Sequence, residues 1–310
     1  MLETNKTLIM IKLCIPFLLS DNKQLPEKLI KQRKLWLEAN VFDSEQLVKL
    51  IKKQKFSKLL KDASRVGIIR AFHFPVENSD YLESKIISKL LYKSIKIIGE
   101  NKIPYFVLHS NHIRLMEKFD HKKLPKIRQK YLNYYKTLGK FAQRHNVTVC
   151  IENIPIIGNE GNDFDSVFVF PADFNNLPKT GIKIVWDMGH WAYTCNTYKT
   201  LSKKIKSLPK KSPTFFDFLK LKKNLSHFHF SSFKKLTPLM CTEGVIPQDG
   251  DFNKNILAKY CRIIHEWPQE IGMTLEIQEK NYHNRVNLAK TLKWFDSSVF
   301  NSQIDKAKKV

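Results

Sequence analysis

The stretch 181–190 reads GIKIVWDMGH, a buried-strand pattern that ends in two potential metal ligands. The β-branched run before Asp187 is typical of a buried strand, so Asp187 stands at the carboxyl end of that strand. His190 follows three residues later, where the chain leaves the strand, and both side chains can turn toward one point. A carboxylate and an imidazole so placed suit a divalent metal ion. An aspartate that caps the next helix, beside a surface histidine, would give the same pattern.

Short apolar runs recur along the chain at the spacing of strand-plus-helix units. They predict eight strands, at 8–15, 35–41, 67–74, 104–109, 147–152, 182–187, 225–230 and 273–276. Longer segments with helical periodicity lie between them, such as 83–99 and 126–145. Strands that alternate with amphipathic helices predict a parallel sheet, and eight such units predict a closed (β/α)8 TIM barrel of the α/β class. The second strand has a helical alternative, because residues 34–38 could extend a helix from Pro26.

The barrel is predicted to occupy a single domain, residues 1–300, because 310 residues accommodate one α/β barrel of about 250 residues. Residues 301–310 form a basic tail that we expect to be frayed. In the proline- and lysine-rich loop 207–213, Ser212 is predicted as the N-cap of a helix, with Pro213 at its first position.

Composition excludes several classes of protein. Hydrophobic residues make up 43% and charged residues 26% of the chain, which indicates a globular rather than a disordered protein. The five scattered cysteines contain no C-x-x-C pair, so neither a disulfide framework nor a cysteine zinc site is expected. We expect a reducing, cytoplasmic setting instead. The apolar segment 8–19 is interrupted by Lys12 and Pro16, and no other stretch could span a bilayer, so no membrane partner is expected.

The net charge of +24 favours a polyanion or a phosphorylated substrate as a ligand. Nine lysines and one acid, Asp217, lie in the segment 191–224, which leads out of the Asp187/His190 motif. Lys203 and Lys204 are therefore candidate phosphate ligands, with a solvated lysine surface as the alternative. Trp186 is a candidate for stacking on a substrate ring, although aromatic residues at strand ends more often pack in the core.

Six consecutive predicted strands each finish with a potential metal ligand: His73, His109, Glu152, Asp187, His229 and Glu276. In a barrel all these strand ends converge on one face, where barrel enzymes carry out their chemistry. One buried strand-end residue is more often structural, but acids are seldom buried without a partner, and six in register favour a metal site. His227 lies on the same side of its strand as His229, and we prefer His229 because it is nearer the carboxyl end. No role is assigned to the remaining histidines, His112, His121, His145, His265 and His283.

The ordered set of these motifs resembles the xylose-isomerase-like TIM-barrel superfamily. The matching segments are FHFP (72–75), VLHS (107–110), IEN (151–153), DMGH (187–190), HFSS (229–232), PQDGDF (247–252) and LE (275–276). That superfamily contains sugar and sugar-phosphate isomerases and epimerases, and the endonuclease IV class of abasic-site nucleases (AP endonuclease family 2). The resemblance covers roughly residues 67 to 280, and no single motif in it is decisive.

The resemblance implies two sets of site residues. In the epimerases a metal is held by four residues that match Glu152, Asp187, His229 and Glu276, and the two glutamates move a proton between neighbouring carbons. In endonuclease IV further histidines complete a multi-metal cluster, and His73, His109 and His190 match ligands of that kind.

Both patterns have departures. Thr242 and Gly244 stand where the nuclease carries an Asp-x-His pair, with Glu243 between them as a candidate substitute. The nuclease's N-terminal Gly-Ala-His signature is absent from 8–20, and Ser232 stands where many isomerases place an aspartate. One or two metal ions are therefore expected.

Three hypotheses follow. The first is a divalent-metal-dependent isomerase or epimerase of a small carbohydrate or sugar phosphate, with Glu152 and Glu276 as the catalytic acid and base. The alternative is an abasic-site DNA nuclease or phosphoesterase, which the net charge and the extra histidines favour. The third is another reaction on this fold, or a barrel that only binds. The ligand types suit Mn, Zn, Mg, Co or Fe(II), and the sugar and oligomeric state are not predicted.

Overall fold

Eight parallel strands close into a barrel in the computed structural model, which describes residues 11–118, 120–158, 161–164, 167–205, 208–267 and 270–300. The strands are β1 Lys12–Leu18, β2 Trp36–Asn40, β3 Ile69–His73, β4 Tyr105–Leu108, β5 Thr148–Glu152, β6 Lys183–Asp187, β7 Leu225–Phe230 and β8 Gly272–Leu275. They neighbour each other in chain order, and β1 pairs with β8 to close the sheet. The predicted (β/α)8 barrel is therefore confirmed. Residues 34–38 do not extend a helix, since α1 ends at Arg33 and Lys34 adopts a left-handed conformation with a φ of 52°.

Helices alternate with the strands as predicted, with one exception. The α-helices are α1 Glu27–Arg33, α2 Ser44–Lys52, α3 Lys55–Ser64, α4 Lys85–Glu100, α5 Leu124–Arg144, α6 Met188–Lys204, α7 Lys254–His265 and α8 Val286–Phe295. Among the described residues between β5 and β6, the two helices are short 3-10 turns, Pro171–Phe174 and Leu177–Thr180. Each has a proline in its first turn, and neither reaches the length of an α-helix.

The helix start predicted at Ser212 is wrong. The helix in this connection is a 3-10 helix, Phe215–Asn224, and Thr214 is its N-cap. The Thr214 backbone N–H donates to Asp217 Oδ2 at 2.8 Å. An acid three residues after the cap stabilises a helix start in this way, and Ser212 has Phe215 at the corresponding position.

Two antiparallel strand pairs interrupt the loops that follow barrel strands. Arg114–Leu115 pairs with Asp163–Phe164, which joins the loop after β4 to the loop after β5. The second pair is a hairpin, Ser232–Thr237 with Met240–Val245, that begins two residues after the end of β7. Both pairs therefore belong to the carboxyl-end face of the barrel, where the predicted site residues lie.

The inside of the barrel is filled by small side chains. Ala71, Val107, Cys150 and Val185 come from β3, β4, β5 and β6 and form a buried cluster separate from the main core. The main core lies between the strands and the helices and contains most of the large aromatic residues. All five cysteines are unpaired. No helix in the described part of the chain is long and apolar enough to cross a membrane. The predicted tail 301–310 and the first residues of the predicted strand 8–15 lie outside the described residues.

Candidate active site

Four side chains from consecutive strands converge at the carboxyl end of the barrel. Glu152 and Asp187 are the last residues of β5 and β6, His229 is the penultimate residue of β7, and Glu276 directly follows β8. One nitrogen or carboxylate oxygen from each lies within 4.8 Å of those from the other three. The side chains of Glu152, Asp187 and His229 are at most 1% exposed, whereas that of Glu276 is 31% exposed.

His229 is at the centre of this cluster. Its Nδ1 lies 3.2 Å from Glu152 Oε2, 3.3 Å from Glu276 Oε1 and 4.0 Å from Asp187 Oδ2. Neither His229 Nδ1 nor Asp187 Oδ2 makes a hydrogen bond of acceptable geometry, although both are buried. Buried polar atoms are rarely left without a partner. A divalent cation bound among three carboxylates and one imidazole would satisfy both atoms, so these residues fit a metal site without thiolate ligands.

Three more imidazoles surround Glu152. His73 Nε2 and His109 Nε2 lie 3.3 and 3.1 Å from Glu152 Oε2, and His190 Nδ1 lies 3.3 Å from Glu152 Oε1. One atom each of His73, His109 and Glu152 forms a second group that could hold a metal ion. The structure thus brings all seven candidate metal ligands predicted from the sequence into one cluster.

Histidines and carboxylates set each other's protonation. Burial alone would raise the pKa of Glu152, but the positive charges of His229 and His109 outweigh it and hold that pKa well below its usual value. Burial raises the pKa of Asp187 well above its usual value. Burial would lower the pKa values of His229 and His190, but Glu152 and Asp187 respectively outweigh it and raise them well above 6.5. The protonation of these buried carboxylates and imidazoles is therefore coupled, and a cation bound among them would compete with protons for the same atoms.

Local packing fixes the DMGH segment. The backbone N–H of Asp187 donates to Asn153 Oδ1 at 2.8 Å, and Asn153 Nδ2 donates to the Asp187 carbonyl at 3.0 Å. Asp187 Oδ1 accepts the backbone N–H of His190 and caps α6. A Cβ at Gly189 would lie 2.2 Å from Ser231 Oγ, so a larger residue here would displace the Ser231 side chain, which directly follows β7. The aspartate is therefore both a helix cap and a candidate ligand, and the two interpretations of the motif are compatible.

Glu38 is a buried acid of the site that was not predicted from the sequence. It lies in the middle of β2, it is fully buried, and its carboxylate contacts His227 and His229. Burial alone would raise the pKa of Glu38, but His229 and His227 outweigh it and hold the pKa well below 4.5. The signal in the sequence was a single acid inside an otherwise apolar run, LWLEA at 35–39, on a predicted buried strand.

Glu243 reaches the site from the hairpin that follows β7. Its Oε2 lies 3.4 Å from His190 Nε2, opposite the nitrogen that faces Glu152. Thr242 and Gly244 flank it, and Gly244 has a φ of +73°, which bends the hairpin backbone over Gln278. The glutamate between Thr242 and Gly244 is thus the residue of this segment that enters the cluster.

A cavity of about 320 Å³ opens beside the cluster. Three ionisable residues of the cluster line it: Glu276, Glu243 and His190. The polar residues of the wall are Gln24, Asn40, Ser231 and Gln278. Its large apolar residues are Phe17, Leu18, Phe42, Ile277 and Tyr282. None of the residues that line it is a lysine or an arginine, within the described part of the chain. A second cavity of about 300 Å³ adjoins His109, and His190 and Glu243 line both.

Two candidate substrate contacts lie elsewhere. Trp186 is fully buried on the outer side of β6, where its ring stacks on Phe218 at 5.5 Å, so the prediction that it contacts a substrate is wrong. Side chains alternate along a strand, and Trp186 therefore points away from the face that Asp187 supplies. Lys203 and Lys204 are exposed at the end of α6, about 24 Å along the helix from its first residue at 1.5 Å per residue. Because α6 starts beside the cluster and leads away from it, this position argues against contact with a substrate at the cluster, and the role of these lysines as phosphate ligands stays a prediction.

The eight parallel strands and the helices between them define a (β/α)8 TIM barrel, and the candidate site lies at the carboxyl ends of its strands. No protein family and no curated protein matches the sequence of this chain. Several solved structures share its fold over nearly their whole length.

The TTHB071 protein from Thermus thermophilus, whose crystals were soaked with ZnCl2, has a TM-score of 0.61 and 15% identity, covering 91% of this chain and 97% of its own. D-psicose 3-epimerase from Clostridium cellulolyticum H10, solved with D-tagatose, has a TM-score of 0.60 and 10% identity, covering 93% and 99%. The IOLI protein, solved with a zinc atom, has a TM-score of 0.59 and 13% identity, covering 94% and 99%. The fold implied by the resemblance is therefore confirmed.

Proposed function

We propose that this protein is a divalent-metal-dependent sugar isomerase or epimerase. The observation that carries the proposal is the group Glu152, Asp187, His229 and Glu276, whose ligand atoms lie within 4.8 Å of one another beside a cavity that can hold a small molecule. Enzymes on this fold use the carboxyl-end face of the barrel for chemistry. The structural neighbours include a D-psicose 3-epimerase and two proteins that were solved or soaked with zinc, which agrees with this proposal.

The four residues would hold the cation, and two of them would also handle protons. When bound, a divalent cation polarises a carbonyl or hydroxyl oxygen and so acidifies the neighbouring C–H bond. Glu276 lines the cavity and is partly exposed, so its carboxylate can accept a proton from a substrate carbon. Glu152 approaches the same nitrogen of His229 as Glu276 does, but histidines enclose it, and we assign to it the opposite acid–base role.

The lining of the cavity favours a carbohydrate without a phosphate group. Amide side chains of Asn40 and Gln278 can hydrogen-bond hydroxyl groups, and the exposed rings of Phe42 and Tyr282 can pack against the apolar face of a sugar. A phosphate dianion would meet Glu243 and Glu276 there, and no lysine or arginine stands among the described residues that line the cavity. We therefore place unphosphorylated ketoses and aldoses first among the substrates.

The decisive experiment follows proton exchange at the sugar carbons. The protein, loaded in turn with Mn²⁺, Zn²⁺, Mg²⁺ or Co²⁺, is incubated in D2O with a panel of free sugars and their phosphates, and deuterium incorporation is followed by NMR. Wild type should exchange a C–H adjacent to a carbonyl, and Glu276→Gln and Glu152→Gln should each lower the rate by at least about 100-fold. Glu117→Gln, which changes an exposed acid after β4, is the matched control. Absence of exchange with every sugar and metal would refute the proposal.

Abasic-site cleavage is the second candidate, because His73, His109 and His190 add three imidazoles around Glu152. The lysines of α6 do not support it, since Lys203 and Lys204 lie at the far end of a helix that leads away from the cluster. Incubation of the metal-loaded protein with an abasic-site duplex at several salt concentrations tests this candidate. Metal-dependent cleavage that Glu152→Gln abolishes would replace the isomerase proposal.

A further inference from the structure

Glu38 lies outside the four-residue group at the strand ends, although its carboxylate, His227 and His229 also bring ligand atoms within 4.8 Å of one another. It is 0% exposed in the middle of β2, one strand from the closing β1–β8 pair, and no lysine or arginine contacts its carboxylate among the described residues. Its neighbours are His227, His229 and Thr274, and Thr274 Oγ1 donates to Glu38 Oε2 at 2.7 Å. A buried carboxylate is costly unless hydrogen-bond donors satisfy it. The barrel supplies donors to Glu38 Oε2 from β7 and β8, whereas Glu38 Oε1 is buried without a hydrogen bond of acceptable geometry.

The two ring nitrogens of His229 face different partners: Nε2 faces Glu38, and Nδ1 faces the strand-end cluster. His229 Nε2 lies 3.2 Å from Glu38 Oε1 and 3.3 Å from Glu38 Oε2, so an Nε2–H points at the carboxylate. Nδ1, on the other side of the ring, faces Glu152, Asp187 and Glu276. A neutral imidazole with its proton on Nε2 has a free lone pair on Nδ1, which is the atom that a metal ion needs.

We propose that Glu38 is a positioning residue that holds His229 with its proton on Nε2 and its Nδ1 lone pair directed into the Glu152–Asp187–Glu276 cluster. A carboxylate behind a metal-binding histidine fixes the ring orientation and strengthens the nitrogen as a ligand. The inference rests on the metal site of the proposed function and is independent of which sugar is the substrate. It assigns a role to β2, a strand that contributes no ligand to the cluster itself.

An alternative role of Glu38 is to hold His227 in place. Its Nε2 lies 3.0 Å from Glu38 Oε2 and 2.8 Å from Thr274 Oγ1, so the carboxylate could serve only to keep His227 and Thr274 in place. The two roles predict different results for variants. Thr274→Val removes a donor to Glu38 and leaves the His229 contact intact, whereas Glu38→Leu removes the acceptor for His229 in a side chain of similar size.

Zinc affinity is the first readout. We expect the dissociation constant of the protein for Zn²⁺, measured by calorimetry, to rise about 10- to 100-fold in Glu38→Leu. Glu38→Gln keeps an oxygen that can accept the Nε2–H and should recover most of the affinity. Thr274→Val should bind zinc as wild type does. If Glu38→Leu does not fold, Glu38→Gln provides the test. Its affinity for Zn²⁺ should then lie between the affinity of wild type and that of a His229→Asn variant.

The second readout distinguishes positioning from general stabilisation. In zinc-loaded protein labelled with ¹⁵N-histidine, His229, assigned from the His229→Asn spectrum, should show a metal-bound Nδ1 and a protected Nε2–H that disappears in the Glu38 variants without an acceptor. Zinc on Nε2, or wild-type affinity in folded Glu38→Leu, would overturn the proposal. If wild type binds no metal, the proposed function fails separately. In that case the ¹⁵N spectrum of the metal-free protein at alkaline pH tests the role of Glu38. A neutral His229 with its proton on Nε2 would support that role, and a proton on Nδ1 would overturn it.

Discussion

Replacing Asp187 with asparagine should stabilise the metal-free protein and destabilise it relative to wild type when zinc is present. Asp187 is 1% exposed, its Oδ2 has no hydrogen-bond partner, and burial raises its pKa well above the usual value. Asparagine keeps an oxygen for the cap of α6 and is a good N-cap residue. The Nδ2 of this asparagine would replace Asp187 Oδ2, an acceptor without a partner, with a donor that faces neighbouring carboxylates.

The two effects have similar sizes and opposite signs. Relief of one unsatisfied buried polar group is worth about 1–3 kcal/mol. For 310 residues, an unfolding entropy of about 2.1 cal/mol/K per residue gives about 0.65 kcal/mol/K, so the metal-free variant should melt about 2–5 °C higher. Zinc at 1,000 times its dissociation constant stabilises wild type by about 4.1 kcal/mol, or about 6 °C, which exceeds the advantage of the metal-free variant. The variant lacks one of four ligands and should gain much less.

Thermal unfolding in a chelator and in excess zinc, followed by calorimetry, measures both values. The order of the melting temperatures should reverse between the two conditions. Asp249→Asn, which changes an exposed acid near the same face, is the control and should follow wild type in both. Two results would refute this reasoning. If the variant melts below wild type in the chelator, Asp187 Oδ2 is not an unsatisfied group in the metal-free protein. If the variant keeps the full zinc shift, Asp187 is not a metal ligand.

Three further outcomes are expected. Zinc binding should release protons and strengthen as the pH rises, because the pKa values of Asp187, His229 and His190 are raised and the metal must displace their protons; calorimetry in buffers of different ionisation enthalpy would detect this. Trp186→Ala should cost about 3–5 kcal/mol in urea unfolding and leave the KM for the sugar unchanged, since the ring packs on Phe218. The double change Lys203→Ala/Lys204→Ala should alter neither zinc affinity nor sugar exchange, and a tenfold loss of either would contradict the position of these lysines at the far end of α6.

The barrel could be predicted because each strand is a short apolar run followed by a longer helical segment. Runs such as 182–187 and 225–230 agree with the observed strands to within a residue. The connection between β5 and β6 could not be predicted as two 3-10 turns, because Pro171 and Pro178 shorten helices in a way that periodicity does not report.

The metal-ligand candidates could be placed together because parallel strand ends meet on one face. Glu38 was missed because a position at a strand end was the sequence criterion, whereas this acid lies one layer deeper in β2. Trp186 was misplaced because it neighbours Asp187 in sequence, and neighbours on a strand point to opposite sides. The approach of Glu243 to His190 depends on how the hairpin folds back over the barrel, and local sequence does not determine that path.

The helix cap at Asp187 limits how this residue can bind a cation. Asp187 Oδ1 accepts the His190 backbone N–H, whereas Oδ2 has no hydrogen-bond partner, so a cation would be favoured at Oδ2. Calcium prefers six to eight oxygen ligands and commonly takes both oxygens of a carboxylate. A site with an imidazole ligand and an aspartate that favours one oxygen would prefer smaller ions such as zinc and manganese over calcium.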